Sequence, residues 1–251
     1  MEVVLDKTVF CKKFLNPINK ISDRGIFTLK KDGVECLATT SFDKKEQTII
    51  LFSKYKGTFD FEHDVESIDL NIPDVSKLLN VFSFLKEDTI SLSVNTNNIS
   101  YKSDSGTSFK YHLLDDGILE APSIKMENVY KMGFDFECDV YNQSLKDILK
   151  GSTFADKTNK IYLYTKDDAL YGILTDESLQ NVDMIEFKLA DEYDGDEIKN
   201  KLPINLEIFR VISTLNFDSV KIKVNVDKGI IMFEVKEDDF VLQYIITALV
   251  K

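Results

Sequence analysis

Tryptophan is absent from this chain of 251 residues, and the other chemically versatile residues are scarce: two histidines, three cysteines and four prolines. His63 and His112 stand at no metal-ligand spacing from a cysteine or carboxylate, so the sequence offers no zinc site. Cys11, Cys36 and Cys138 are an odd number without a C-x-x-C pair and read as buried free thiols of a reducing compartment. The ten glycines form neither a phosphate-cradling loop nor a G-x-S-x-G nucleophile elbow. No apolar run approaches the roughly 18 residues of a membrane span. The opening "MEVVLDKTVF" lacks a basic segment and a small-residue cleavage site, so no secretory signal is expected and the reading is cytoplasmic. Adjacent acidic pairs such as Asp115-Asp116 and Asp238-Asp239 point to opposite faces of a strand, a poor arrangement for paired-carboxylate catalysis. The cluster Asp191 to Glu197, "DEYDGDE", reads as a solvated acidic loop, with chelation of a hard cation as the alternative. No metal, cofactor or catalytic constellation is expected.

What the chain does have is an ordinary globular composition, 43% hydrophobic and 29% charged, enough for a packed core in one large or two small domains. Its net charge is −12, from 31 basic and 43 acidic residues. Such a surface repels nucleic acid over most of its area, unless the basic residues are gathered on one face.

Alternating β-branched and aromatic segments ("QTIILFSKY", "DTISLSVNTNNISYKS", "KIYLYT", "MIEFKL", "SVKIKVNV", "GIIMFEV") predict strands, with turn residues between them. Four short helices are expected. "VFCKKFLN" follows Thr8 as N-cap, with Phe10 and Phe14 on one face and Lys12 opposite. "DVSKLLNVFSFL" gathers Val75, Leu78, Leu79 and Phe82 and turns Lys77 away. "NQSLKDILKG" buries Leu145, Ile148 and Leu149, with Lys146 and Lys150 elsewhere and Gly151 able to end it at C′. "INLEIFRVISTL" buries Ile208, Phe209 and Ile212 and exposes Arg210.

The order reads helix, strands, helix, strands, twice. "IFTLKKDGVECLATT" (Ile26 to Thr40) matches "IYLYTKDDALYGILT" (Ile161 to Thr175) at an offset of 135, and "LLNVFSFLKEDTISLSVN" (Leu78 to Asn95) matches "IFRVISTLNFDSVKIKVN" (Ile208 to Asn225) at 130. A repeat this long implies a duplicated domain rather than a solenoid: residues 1–115 and 136–251, joined by an extended connector, 116–135. The connector's apolar residues either pack along a sheet edge or form a docking surface for partner peptides.

The segment "IDLNIPDVSKLLNVFSFLKEDTISLSV" (Ile68 to Val94), the ending "FEVKEDDFVLQYIITALVK" (Phe233 to Lys251) and the double repeat around them resemble the processivity sliding clamps, most closely the two-domain clamps of tailed phages and more loosely proliferating cell nuclear antigen. The resemblance implies an α+β, strand-rich DNA-clamp fold: two tandem duplicated domains, each with two short helices and curved antiparallel sheets, in a homotrimeric ring. It implies a non-enzymatic tether that encircles duplex DNA, binds the replicative DNA polymerase and is placed by an ATP-dependent clamp loader. The helix faces would meet the duplex through Lys12, Lys13, Lys20, Lys77, Lys146, Lys150 and Arg210, with Arg24 nearby, in sequence-independent phosphate contacts; Asp147 and Glu207 thin that basic lining. Partner motifs would dock on Ile118, Leu119, Pro122, Ile124, Leu249 and Val250, with Phe42 on a facing loop. Edge pairing between chains would close the ring, with "KIYLYT" or "DTISLSV" as candidate strands. Two rivals stand beside this reading: a virion or tail structural protein built from duplicated β-rich domains, and an enzyme with a metal at Asp191 to Glu197.

Overall fold

The computed structural model describes residues 1–40, 47–59, 61, 65–154, 158–177 and 182–249. The chain divides into two compact units, Met1–Thr40 with Ile50–Ser123 and Lys236–Leu242, and Ser41–Ile49 with Ile124–Val235 and Gln243–Lys251.

The first unit begins with β1 (Glu2–Asp6), which runs directly into a helical segment made of α1 (Lys7–Val9), a π-helical stretch (Phe10–Leu15) and α2 (Asn16–Asn19). Four strands follow: β2 (Gly25–Lys30), β3 (Gly33–Thr39), β4 (Ile50–Lys56) and β5 (Ser67–Ile72). After α3 (Val75–Ser83) come β6 (Thr89–Asn95), β7 (Asn98–Lys102) and β8 (Ser108–His112). A short helix, α4 (Met126–Lys131), opens the second unit. There β9 (Phe136–Tyr141) leads into α5 (Asn142–Gly151), then β10 (Lys160–Lys166), β11 (Ala169–Leu174), β12 (Ile185–Ala190), the two-residue β13 (Asp194–Gly195) and β14 (Leu202–Asn205). The last elements are α6 (Glu207–Ser213), β15 (Ser219–Asn225), β16 (Ile230–Lys236) and β17 (Phe240–Thr247).

Strand pairing recurs with the element order. The first unit holds the orders β1-β6-β7-β8 and β4-β3-β2-β5; the second holds β9-β15-β16 and β12-β11-β10-β14, with β13 added beside β9; β17, next to β16, has Phe240–Leu242 in the first unit and Gln243–Thr247 in the second. The ladders are antiparallel. The architecture is therefore α+β and strand-rich, as expected. The pairs α3/α6 and β6/β15 end at Ser83/Ser213 and Asn95/Asn225, which keeps the offset of 130. The other offset shifts by one: β2 ends at Lys30 and β10 at Lys166, while β3 starts at Gly33 and β11 at Ala169. In the structure Lys31 thus corresponds to Asp167, at 136 rather than 135. The two turns differ chemically, which is why residue matching slips there. Asp167 and Asp168 both take positive φ, 49° and 57°, as a type I′ turn requires. Gly33 sits at φ 142°, where a Cβ would lie 2.1 Å from the Tyr55 carbonyl oxygen.

The core of the first unit is aromatic. Phe10 stacks on Phe14 at 5.1 Å and meets Tyr55 and Phe82 edge-on, while Phe14 meets Phe27. Each such ring contributes roughly 1.5–3 kcal/mol on leaving water. In the second unit Leu145 and Ile148 of α5 and Ile208, Phe209 and Ile212 of α6 are fully buried, and Phe209 meets Phe233 of β16 at 5.7 Å. The apolar faces lie where the spacing placed them, except that Leu79 and Leu149, also expected inward, are only half-buried.

Several details depart from expectation. Asp6, not Thr8, caps the first helix, accepting the Val9 N–H at 2.8 Å. Gly151 is the last residue of α5 and carries no positive φ; it is glycine because a Cβ there would come within 2.4 Å of the Phe187 ring. Within the segment read as an extended connector, α4 buries Met126 and Val129. The two candidate edge segments are interior: β6 lies between β1 and β7, and β10 between β11 and β14. The strands that end these sheets include β8 and β12.

Candidate nucleic-acid interface

Each unit presents a pair of packed helices. In the first unit α3 packs against the π stretch and α2; in the second, α5 packs against α6. Asp74 starts α3 by accepting the Lys77 N–H at 2.7 Å. Asn142 ties the start of α5 to the chain beyond α6, its side-chain amide donating to the carbonyls of Leu215 and Phe217 at 3.2 and 3.0 Å.

The seven expected basic residues fall into three situations. Lys12, Lys20, Lys77 and Lys146 are exposed, as is Arg24, and none of them has an ion-pair partner among the described residues. Lys150 and Arg210 are also exposed, but each is matched on its own helix: Lys150 Nζ lies 3.2 Å from Asp147 Oδ1, and Arg210 Nη1 lies 2.9 Å from Glu207 Oε2. Hydrogen bonds from Lys150 and then Gln143 hold the Asp147 carboxyl below its ordinary range. Lys13 is drawn inward, its Nζ 3.6 Å from Glu237 and 4.9 Å above the Phe240 ring. The i,i+3 spacing of Asp147–Lys150 and Glu207–Arg210 was readable locally. The partner of Lys13 lies 224 positions away and gave no local signal.

The expected docking residues are divided between the units. Ile118, at 63% exposure, belongs to the first with half-buried Leu119 and Pro122; Ile124 and Leu249, both half-buried, belong to the second. The chain end is held by backbone, Ala248 N–H to Gly229 O at 2.6 Å and Leu249 N–H to Pro203 O at 2.7 Å. Phe42 and Val250 lie outside the described residues.

Elsewhere, a polar groove in the second unit is lined by Glu137, Asp139, Tyr141, Lys188, Asp191 and Lys221. Its lining holds five carboxylates against two lysines, and both lysines are engaged: Lys221 lies 3.4 Å from both Glu137 and Asp139, and Lys188 lies 2.6 Å from Asp191. The acidic segment 191–197 is dispersed in the same way, with Asp194 and Gly195 paired to β9 and Glu197 3.9 Å from Lys199. Among the described residues no three His, Cys, Asp or Glu side chains are grouped to hold a metal ion, and no helix is long and apolar enough to cross a membrane.

Set against solved structures, the chain superposes along its whole length on the proliferating cell nuclear antigen (PCNA) of A. fulgidus, solved with the C-terminal region of FEN-1 bound: TM-score 0.74, 13% identity, covering 100% of this chain and 98% of that one. This is the DNA-clamp fold. PCNA from Entamoeba histolytica agrees at TM-score 0.73 and 15% identity over 99% and 98% of the two chains. The DNA polymerase III β subunit of Thermotoga maritima agrees at TM-score 0.72 and 12% identity, the clamp fold here covering 66% of that longer chain. No family model matches the sequence, and no curated protein matches it. The clamp likeness is therefore carried by backbone geometry, with the residues on its helices this chain's own.

Proposed function

We propose that the protein is a DNA sliding clamp, a topological tether without chemistry of its own. In this reading residues 1–115 and 136–251 are duplicated domains joined by 116–135, and three chains form a six-domain ring around duplex DNA. The ring tethers a replicative DNA polymerase and is placed on DNA by an ATP-driven loader, in the cytoplasm of a host cell if the protein is viral. The observation that carries the reading is the full-length match to PCNA chains, with a helix pair in each unit presenting exposed basic residues on an otherwise acidic chain. Phosphate contacts from flexible lysines carry no sequence information, which suits a protein that must move along DNA.

Ring closure falls to β8 and β12, each at the end of its sheet. Exposed edges of this kind are either protected or used. The outward side chains of β8 include Lys110 and His112, and those of β12 include Glu186 and Lys188, so both edges present polar and charged side chains. Partner motifs are assigned to Phe42, Ile118, Leu119, Pro122, Ile124, Leu249 and Val250.

The test combines light scattering on a sizing column, electron microscopy and stimulation of the cognate polymerase on primed circular DNA. Trimer mass, ring particles and loader-dependent stimulation are expected. A strict monomer at micromolar concentration without rings would sink the reading. So would assembly into particles with no stimulation when all cognate factors are present.

A further inference from the structure

Resting on the assignment of the helix faces to duplex DNA, we propose that the two units grip unequally: the first supplies the phosphate contacts, and the second is held near electrostatic neutrality by its own helices.

The helical segments of the first unit, Lys7–Asn19 and Val75–Ser83, contain four lysines and no acidic residue. Two of those lysines are engaged within the unit, Lys7 donating to the Leu85 carbonyl at 2.7 Å and Lys13 lying beside Glu237. Lys12 and Lys77 remain exposed, and just beyond α2 come the exposed cations Lys20 and Arg24 with exposed Asp23 between them. In the second unit α5 and α6 carry three cations, Lys146, Lys150 and Arg210, against two carboxylates, Asp147 and Glu207. Both carboxylates lie within 3.2 Å of a cation on the same helix.

Exposed pairs of this type contribute little to stability, so they do not lock the side chains. Their effect is on the field. A cation already matched by a carboxylate releases fewer counterions when it meets a phosphate, and counterion release is the main drive for non-specific binding. If Arg210 swings toward DNA, Glu207 stays one turn away, well inside the roughly 10 Å over which charges act at 0.1 M salt, and repels the same phosphate. Lys12 meets no such opposition from its own helix, and the carboxylate one turn from Lys77, Asp74, is taken up in capping α3 and is not paired with the Lys77 ammonium.

The experiment compares three double variants of the full-length protein with the native chain. Binding to a blunt DNA duplex of about 30 base pairs is followed by fluorescence anisotropy from about 50 to 200 mM salt, the range over which phosphate contacts are lost. Lys12→Gln with Lys77→Gln and Lys150→Gln with Arg210→Gln each remove two cations. Asp147→Asn with Glu207→Gln unmasks the second unit. All the altered side chains are at least partly solvated, and thermal melts check that folding is unchanged. The first variant should bind on the order of 10- to 100-fold more weakly at low salt, with the salt slope reduced by about 1.8 for each chain of the ring in contact with the duplex. The second should change by less than about threefold, and the third should bind more tightly than the native protein. Equal losses in the first two variants, or no tightening in the third, would overturn the unequal grip while leaving the DNA assignment standing. Native binding that is indifferent to salt, or absent even when the loader and ATP are supplied, would remove the DNA assignment itself.

Discussion

The Tyr111 hydroxyl holds both backbone polar groups of Asp74, donating to its carbonyl oxygen at 2.6 Å and accepting from its N–H at 3.0 Å. Asp74 in turn caps α3, so a strand at the end of its sheet, β8, fastens the start of the helix that carries Lys77. Tyr111→Phe leaves both Asp74 groups without that partner. A loss of about 1–3 kcal/mol is expected, read as a lower urea midpoint with an unchanged slope.

The same tyrosine makes stability depend on alkaline pH. Burial pushes its hydroxyl up to about 12 from an ordinary value of 10. Between those values the unfolded chain has lost the proton and the folded chain retains it, so folding becomes less favourable as pH rises. The contribution is intact below about pH 10 and is lost toward pH 12. Urea midpoints measured from neutral pH to above pH 10 should fall less steeply for Tyr111→Phe than for the native protein. Parallel curves would contradict this.

Gly33→Ala is expected to destabilise the first unit by about 2 kcal/mol or more. The added methyl would have to sit 2.1 Å from a backbone carbonyl at a φ of 142°, and no rotamer change relieves that. Thermal unfolding followed by circular dichroism reads it directly.

Asn142 offers a second structural test. Its amide is 5% exposed and serves two carbonyls, those of Leu215 and Phe217. Asn142→Ala leaves both unserved, at an expected cost of about 1–3 kcal/mol, whereas Asn142→Asp also loses the donor and adds a buried charge. The expected order of melting temperatures is native, then Ala, then Asp.

The three thiols should be slow to react in the folded protein. Burial pushes Cys36 and Cys138 up to about 12, and Cys11, half-buried, up to about 11. Since the thiolate is the nucleophile, a disulfide-exchange dye at pH 8 should titrate little before denaturant is added and three thiols afterwards. Rapid native labelling at Cys36 would contradict the buried placement.

How much was readable in advance follows from the range of each signal. Helix faces were legible because a 3.6-residue period is local: Phe10 with Phe14, and Leu145 with Ile148, lie where spacing puts them. The bounds of α5 agree with "NQSLKDILKG". By contrast, α4 has two buried positions in six residues, too few to establish a period. Edge strands were misjudged because alternation reports which face of a strand is covered and says nothing of neighbours along the hydrogen-bonding direction. In the candidate interface, exposure of the lysines was legible and their neutralisation only partly. Asp147 and Glu207 are three residues from their cations, whereas Lys13 is withdrawn by Glu237 and Phe240 at the far end of the chain.

The π stretch at Phe10–Leu15 bears on how this chain tolerates insertions and deletions. In an α-helix, at 100° per residue, Leu15 would lie 140° around from Phe10 and at the flank of the buried face. An i→i+5 ladder advances by only about 80° per residue, which brings Leu15 to roughly 40° from Phe10, beside Phe14 and Ile18, all fully buried. The widened turn accommodates one residue more than a regular helix and still returns the chain in phase at Pro17. Shortening the stretch by a single residue would restore ordinary helical hydrogen bonding without moving the ends of the segment far. Shortening α5 by one would rotate everything beyond the cut and expose Ile148. Removal of one residue from the first helix is therefore expected to cost less stability than the same change in its counterpart α5.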